Sequence, residues 1–142
     1  MTTRNVPPPN HEVAQQLVQH VHHLLPIYGP PTHPGEMLLH EFLIPWGMTQ
    51  MELARRIGVS YPRVNEIVKG KRGITPDTAL RLARLFNMTA EFWLGLQEGW
   101  DVWHALHADT AADILKIEPM PKGRIYEEGE DDDDETAPIA AD

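Results

Sequence analysis

Ser60, Tyr61, Arg63, Asn65, Glu66 and Lys69 crowd into one short segment and carry the donor and acceptor groups that read base edges. An arginine can hold guanine through two hydrogen bonds, an asparagine can do the same with adenine, and a glutamate can accept from cytosine. Tyr61 adds a hydroxyl for phosphate or base. Gln50, at the start of the helix before, suits a backbone contact, while Lys69 at the end of the segment and Lys71 and Arg72 just past it suit phosphates rather than bases. The chemistry on offer is nucleic-acid recognition.

Catalysis has no comparable set. The chain has no HExxH and no phosphate-binding glycine loop, and its Asp and Glu residues fall at helix caps or are scattered. It contains no cysteine, which removes thiolate nucleophiles, disulfides and cysteine-ligated metals together. His20, His22 and His23 invite a metal reading, but neighbours on a helix turn by about 100°, so the three imidazoles spread over different faces. No enzymatic activity, cofactor or metal is expected.

A net charge of -9 runs against phosphate binding, so its distribution decides the matter. Nine acidic residues and no Lys or Arg follow Arg124, and the remaining twelve acids balance twelve bases. Between Leu53 and Phe86, eight basic residues face only Glu66 and Asp77. The middle of the chain is basic, as contact with nucleic acid requires.

These side chains need helices to position them. Thr49 and Glu52 have capping-box spacing, predicting a helix over 50–57 that Gly58 ends by taking a positive φ. Ser60 caps the next helix, with Pro62 in its first turn and Gly70 at its end. Thr75, Pro76 and Asp77 open a helix over 77–86. Thr89 and Glu91 repeat the signal for a last helix from 90 to 106, or on to 115. Upstream, the spacing predicts a helix over 34–43 that stops at Ile44, Pro45, Trp46 and Gly47, and an amphipathic one over 11–25. The apolar side of the latter must either cover the domain or grip a partner.

Residues 49–69 have the pattern of a helix-turn-helix. Ala54 lies four before Gly58, and Leu53, Ile57, Val59, Val64 and Ile67 supply the inward set. A helical hairpin packed for stability alone would not need the polar, base-reading set on its outer face. The reading is sequence-specific binding of double-stranded DNA.

With these elements placed, residues 33–104 closely resemble the HigA family of antitoxins, a branch of the Xre-type repressors. The pieces that carry the resemblance are His33-Pro34-Gly35-Glu36, Gly47-Met48-Thr49-Gln50, Val64-Asn65-Glu66-Ile67 with Gly70-Lys71-Arg72, Ile74-Thr75 with Asp77-Thr78-Ala79, and Glu91-Phe92-Trp93-Leu94 with Leu96-Gln97. The resemblance implies an all-α, five-helix, lambda-repressor-like domain and a homodimer. It also implies repression of the chain's own operon and neutralisation of a HigB-like mRNA-cleaving toxin. The other reading is a stand-alone Xre-type regulator without a toxin. The long N-terminal extension and the acidic tail depart from the family pattern.

Trp93, Leu96, Trp100, Trp103 and His107 recur at steps of three and four, giving an aromatic stripe on the last helix. Ordinary core packing is one use for it. A homodimer seam is preferred, because five short helices offer too little interior for the stripe together with Phe92, Leu94, Val102 and Leu106. A dimer would set two recognition helices about 34 Å apart on an inverted repeat. The expected organisation is an extension with an amphipathic helix over 1–32, a DNA-binding and dimerisation domain over 33–115, and a disordered acidic tail over 116–142. That tail is either solvated or a phosphate mimic for a toxin's basic surface. No stretch reaches a membrane-spanning length and the start lacks a signal-peptide core, so a cytoplasmic location is expected.

Overall fold

The computed structural model describes residues 10–21, 25 and 29–121. Among these, every regular element is helical. Helix α1 spans His11–Leu17 and runs into a 3-10 turn, Val18–His20. Helix α2 (Pro34–Met37) passes through a π-type turn (Leu38–Leu43) into α3 (Ile44–Trp46). Then come α4 (Gln50–Ile57), α5 (Tyr61–Val68), α6 (Pro76–Phe86), α7 (Ala90–His107) and α8 (Ala111–Leu115). The continuous rod from α2 to α3, with α4, α5, α6 and α7, makes the expected five-helix domain. Helix α1 is the extra N-terminal helix.

Helix boundaries follow the capping chemistry with three departures. Thr49 Oγ1 accepts from the Glu52 N–H at 3.1 Å, but the Glu52 carboxylate turns to Arg56 at 3.0 Å, so only half of the capping box forms. Thr89 has the extended backbone of a cap without a side-chain hydrogen bond. The rod expected to stop before Pro45 continues through it to Trp46 and ends at Gly47, whose φ is 62°. The wider turn explains this, because Ile44 N–H already reaches back five residues to Leu39 O and the ladder is loosened where the proline enters.

The main core gathers Leu38, Leu43, Leu53, Ala54, Ile57, Val64, Ile67, Ile74, Ala79, Leu82 and Trp93. It therefore contains both helices of the helix-turn-helix, and burial of each large side chain contributes about 1.5–3 kcal/mol. Phe42 lies 5.0 Å from Trp93 and 4.7 Å from Phe86, ring centre to ring centre, and joins the first helical rod to α6 and α7.

A second, smaller cluster joins Ala14 and Leu17 of α1 to Leu106 and Ala111, flanked by Val13, Val21 and Val102. Of the two uses open to the N-terminal helix, its apolar side covers the domain. Asn10 Nδ2 donates to His107 O at 2.9 Å, capping the end of α7. The helix is shorter than the expected 11–25, since Val21 is already extended, with φ -121° and ψ 120°. Helix α7 breaks after His107 rather than running to 115, and α8 turns back towards α1. His22, His23 and the acidic residues from 127 onward lie outside the described residues.

Candidate nucleic-acid interface

Helices α4 and α5 pack side by side because Leu53, Ala54 and Ile57 face Val64 and Ile67 in one core. The turn between them needs Gly58, whose φ of 72° would strain any residue with a Cβ. Arg81 Nη1 donates to Ile57 O at 2.7 Å, satisfying a carbonyl at the end of α4. Ser60 Oγ accepts from the Arg63 N–H at 3.3 Å and starts α5. Ser60 is thus a cap on the exposed face as well as a candidate for contact.

The structure brings most of the expected residues together. Asn65 Nδ2 donates to Gln50 Oε1 at 2.9 Å and reaches Tyr61 Oη at 3.5 Å. Gln50, Tyr61 and Asn65 thereby form one polar cluster across the two helices. Holding adenine through Asn65 requires one of these bonds to open. Glu66 Oε2 accepts from Arg72 Nε at 2.8 Å, and Glu66 O accepts from the Lys71 and Arg72 N–H groups, folding the 69–72 loop against the end of α5. Lys69 and Lys71 remain exposed.

Arg63 stands apart from the others. Its Nη2 donates to Thr78 Oγ1 at 2.9 Å and to Thr75 Oγ1 at 3.4 Å, and lies 3.8 Å from Asp77 Oδ2. Its guanidinium is directed at the start of α6 and is not presented for guanine in the free protein. Arg63→Ala is therefore expected to cost about 1 kcal/mol of stability, as befits partly exposed charge-assisted bonds. Denaturant titration measures it, and unchanged stability would return Arg63 to the free base-reading set.

Two anchors of this face entered the sequence reading only as marks of the resemblance, without a structural role. Gln97 Oε1 accepts from the Ile74 N–H at 2.7 Å, and the Gln97 amide sits where a Cβ on Gly73 would fall, so α7 fixes the loop carrying Lys69 and Lys71. A mid-helix glutamine gives no local sign of such a duty. The other anchor is His33-Pro34-Gly35. His33 is buried and caps α2, its Nδ1 accepting from the Gly35 N–H at 2.9 Å, with its ring edge-on to Trp100. Gly35 lies directly against the Ile67 carbonyl. The start of α2 thus braces the end of α5.

Burial lowers the His33 pKa below its ordinary 6.5, against the opposing influence of Glu36 and Asp101 and with a lesser lowering from His104. A neutral ring is also what its role as acceptor demands. Because the folded-state pKa is the lower one, the unfolded chain binds more protons just below pH 6.5, so this contribution is complete above that pH and declines as pH falls. His33→Asn keeps a capping oxygen and is expected to flatten that part of the stability profile. A profile unchanged from wild type between pH 7 and 5 would contradict the assignment.

The aromatic stripe divides. Trp93 is fully buried against Phe42 and Phe92 inside one domain, so it cannot line a seam between chains, which corrects its inclusion there. Its Nε1 has no hydrogen-bond partner among the described residues. Leu96, Trp100 and Trp103 are half-buried, and Trp103 stacks on His107 with ring centres 4.1 Å apart.

Comparison with known proteins accords with this architecture. A helix-turn-helix family model matches residues 40–93. Virulence-associated protein I of Dichelobacter nodosus is 49% identical over 86 residues, 61% of this chain and 80% of that protein. Antitoxin HigA-1 of Vibrio cholerae is 40% identical over 73 residues, 51% of this chain and 69% of that protein. The solved structure of Pseudomonas aeruginosa antitoxin HigA with the higBA promoter superposes with a TM-score of 0.61 at 42% identity, spanning 64% of this chain and 99% of that one. The chain belongs to the HigA group of Xre-type helix-turn-helix regulators, a non-enzymatic class of DNA-binding proteins.

Proposed function

We propose that this protein is an antitoxin and autorepressor that binds an inverted-repeat operator as a homodimer and neutralises a HigB-like mRNA-cleaving toxin. The observation that carries the DNA half is the joined face of α4 and α5, where Gln50, Tyr61 and Asn65 form one polar cluster flanked by exposed Lys69 and Lys71. In this reading Gln50, Ser60, Tyr61, Asn65 and Glu66 meet bases or the adjoining backbone, while Lys69, Lys71 and Arg72 neutralise phosphates. Leu96, Trp100 and Trp103 supply the dimer seam. No helix among the described residues is long and apolar enough to cross a membrane. An autorepressor that meets its operator and a toxin would act in the cytoplasm.

The toxin half draws its support from the relatives named antitoxins. Co-purification of the full chain with the products of its neighbouring genes, followed by binding to its own upstream DNA, tests both halves. A small basic ribonuclease that elutes with the chain and is silenced by it supports the proposal. DNA binding with no such partner leaves a stand-alone regulator and overturns the antitoxin reading.

A further inference from the structure

Helical spacing sets the outer edge of α5. Val64 and Ile67 are buried in the core, and Pro62, Glu66 and Lys69, spaced by four and then by three, line the opposite side. The first turn of a helix laid in the major groove is the part that meets base edges, and Pro62 is the exposed residue at the outer edge of that turn. The polar groups beside it are engaged. Ser60 Oγ accepts from the Arg63 N–H, Tyr61 Oη accepts from Asn65 Nδ2, and Arg63 Nη2 donates to Thr75 and Thr78. The fold tolerates a proline here, because its missing N–H would have no partner in the first turn of a helix. What it presents to the groove is a rigid ring of methylene groups with neither donor nor acceptor.

Such a ring discriminates among base edges. Placed over the oxygen and nitrogen atoms of guanine, cytosine or adenine, it would strip water from them and return no hydrogen bond. The C5-methyl of thymine is the one apolar group that the major groove displays, and it gains from the contact. Asn65, whose amide suits adenine, follows Pro62 by one turn on the same helix. Residues three apart on a helix stand about 5–6 Å from each other, which is between one and two base-pair steps of about 3.4 Å. We infer that Pro62 is a specificity-determining residue that selects thymine through its C5-methyl, one or two base pairs from the adenine held by Asn65. The inference rests on the reading of α5 as the DNA-recognition helix and adds the base and the group that this turn reads.

Deoxyuridine provides the test, because it lacks only the methyl group and keeps the pairing and the O4 acceptor of thymine. The probe is a duplex of the chain's upstream DNA in which each thymine is replaced singly, titrated with the full chain by fluorescence anisotropy. Uracil at one or two positions in each half-site is expected to weaken wild type about fourfold, the transfer value of one buried methyl group, and all other replacements should be neutral. Pro62→Ser, shown by its melting point to be folded, is expected to bind the thymine and uracil forms of those positions alike. The wild-type scan needs no variant and can contradict the proposal alone. If wild type prefers the upstream duplex to scrambled DNA but ignores every uracil, the methyl contact is overturned and the reading of α5 stands. If wild type shows no such preference, both fall. A uracil penalty that persists undiminished in Pro62→Ser, or a variant that weakens thymine and uracil duplexes equally, would also overturn the assignment.

Discussion

Gly35→Ala is expected to destabilise the domain by about 3 kcal/mol or more, lowering its melting temperature by roughly 15 °C. A Cβ at this position would fall on the Ile67 carbonyl oxygen, 2.7 Å from the carbonyl carbon and 3.0 Å from Val68 Cα. All of these are backbone atoms, so no rotamer change relieves the overlap, and either α2 must back away or the last turn of α5 must open. Either motion disturbs the 69–72 loop, which hangs from that turn through Glu66 O. DNA affinity should therefore fall along with stability, although Gly35 itself is buried. Differential scanning calorimetry checks the first effect and DNA titration below the melting point checks the second. A melting point within a few degrees of wild type would mean that this contact between helices is looser than described.

Lys69→Glu combined with Lys71→Glu is expected to weaken operator binding by about 100-fold near 0.1 M salt while leaving stability almost unchanged. Both side chains are exposed, and neither has an ion pair among the described residues, so the fold loses nothing by the exchange. Each phosphate contact removed should lower the slope of log affinity against log salt by about 0.9, giving a drop of about two. The weakening should be uniform across sequences, because phosphate contacts carry position but not identity. Fluorescence anisotropy at four or five salt concentrations measures the slope. An unchanged slope would remove both lysines from the interface.

The helix-turn-helix was legible because its signals are local. Thr49, Gly58, Ser60, Gly70 and Thr75 mark turns and caps by their own conformational preferences, and the inward set of Leu53, Ile57, Val64 and Ile67 follows helical spacing. What the sequence hid depended on distant residues. Arg63 looked like a free base-reader until Thr75 and Thr78 of α6 were placed beside it. Trp93 looked like part of one stripe with Trp100 and Trp103, but the core set by Phe42 claims it alone. Pro45 should have stopped a regular helix, and only the π-type turn before it allows the chain to pass. The end of α1 at Leu17, with its 3-10 turn closing at His20, gave no local warning, as the apolar spacing continues to residue 25.

The central claim is that α5 reads base sequence while the flanking lysines only hold the backbone. Its most direct test is the dissociation constant of wild type, Asn65→Ala and Lys71→Ala on every single-base variant of the chain's upstream operator. Asn65→Ala should cost about 1–3 kcal/mol on the parent site and relax discrimination at one or two base pairs in each half-site, whereas Lys71→Ala should weaken all variants equally. If wild type binds scrambled DNA as tightly as the operator, or Asn65→Ala keeps the full pattern of discrimination, α5 is not the reading element.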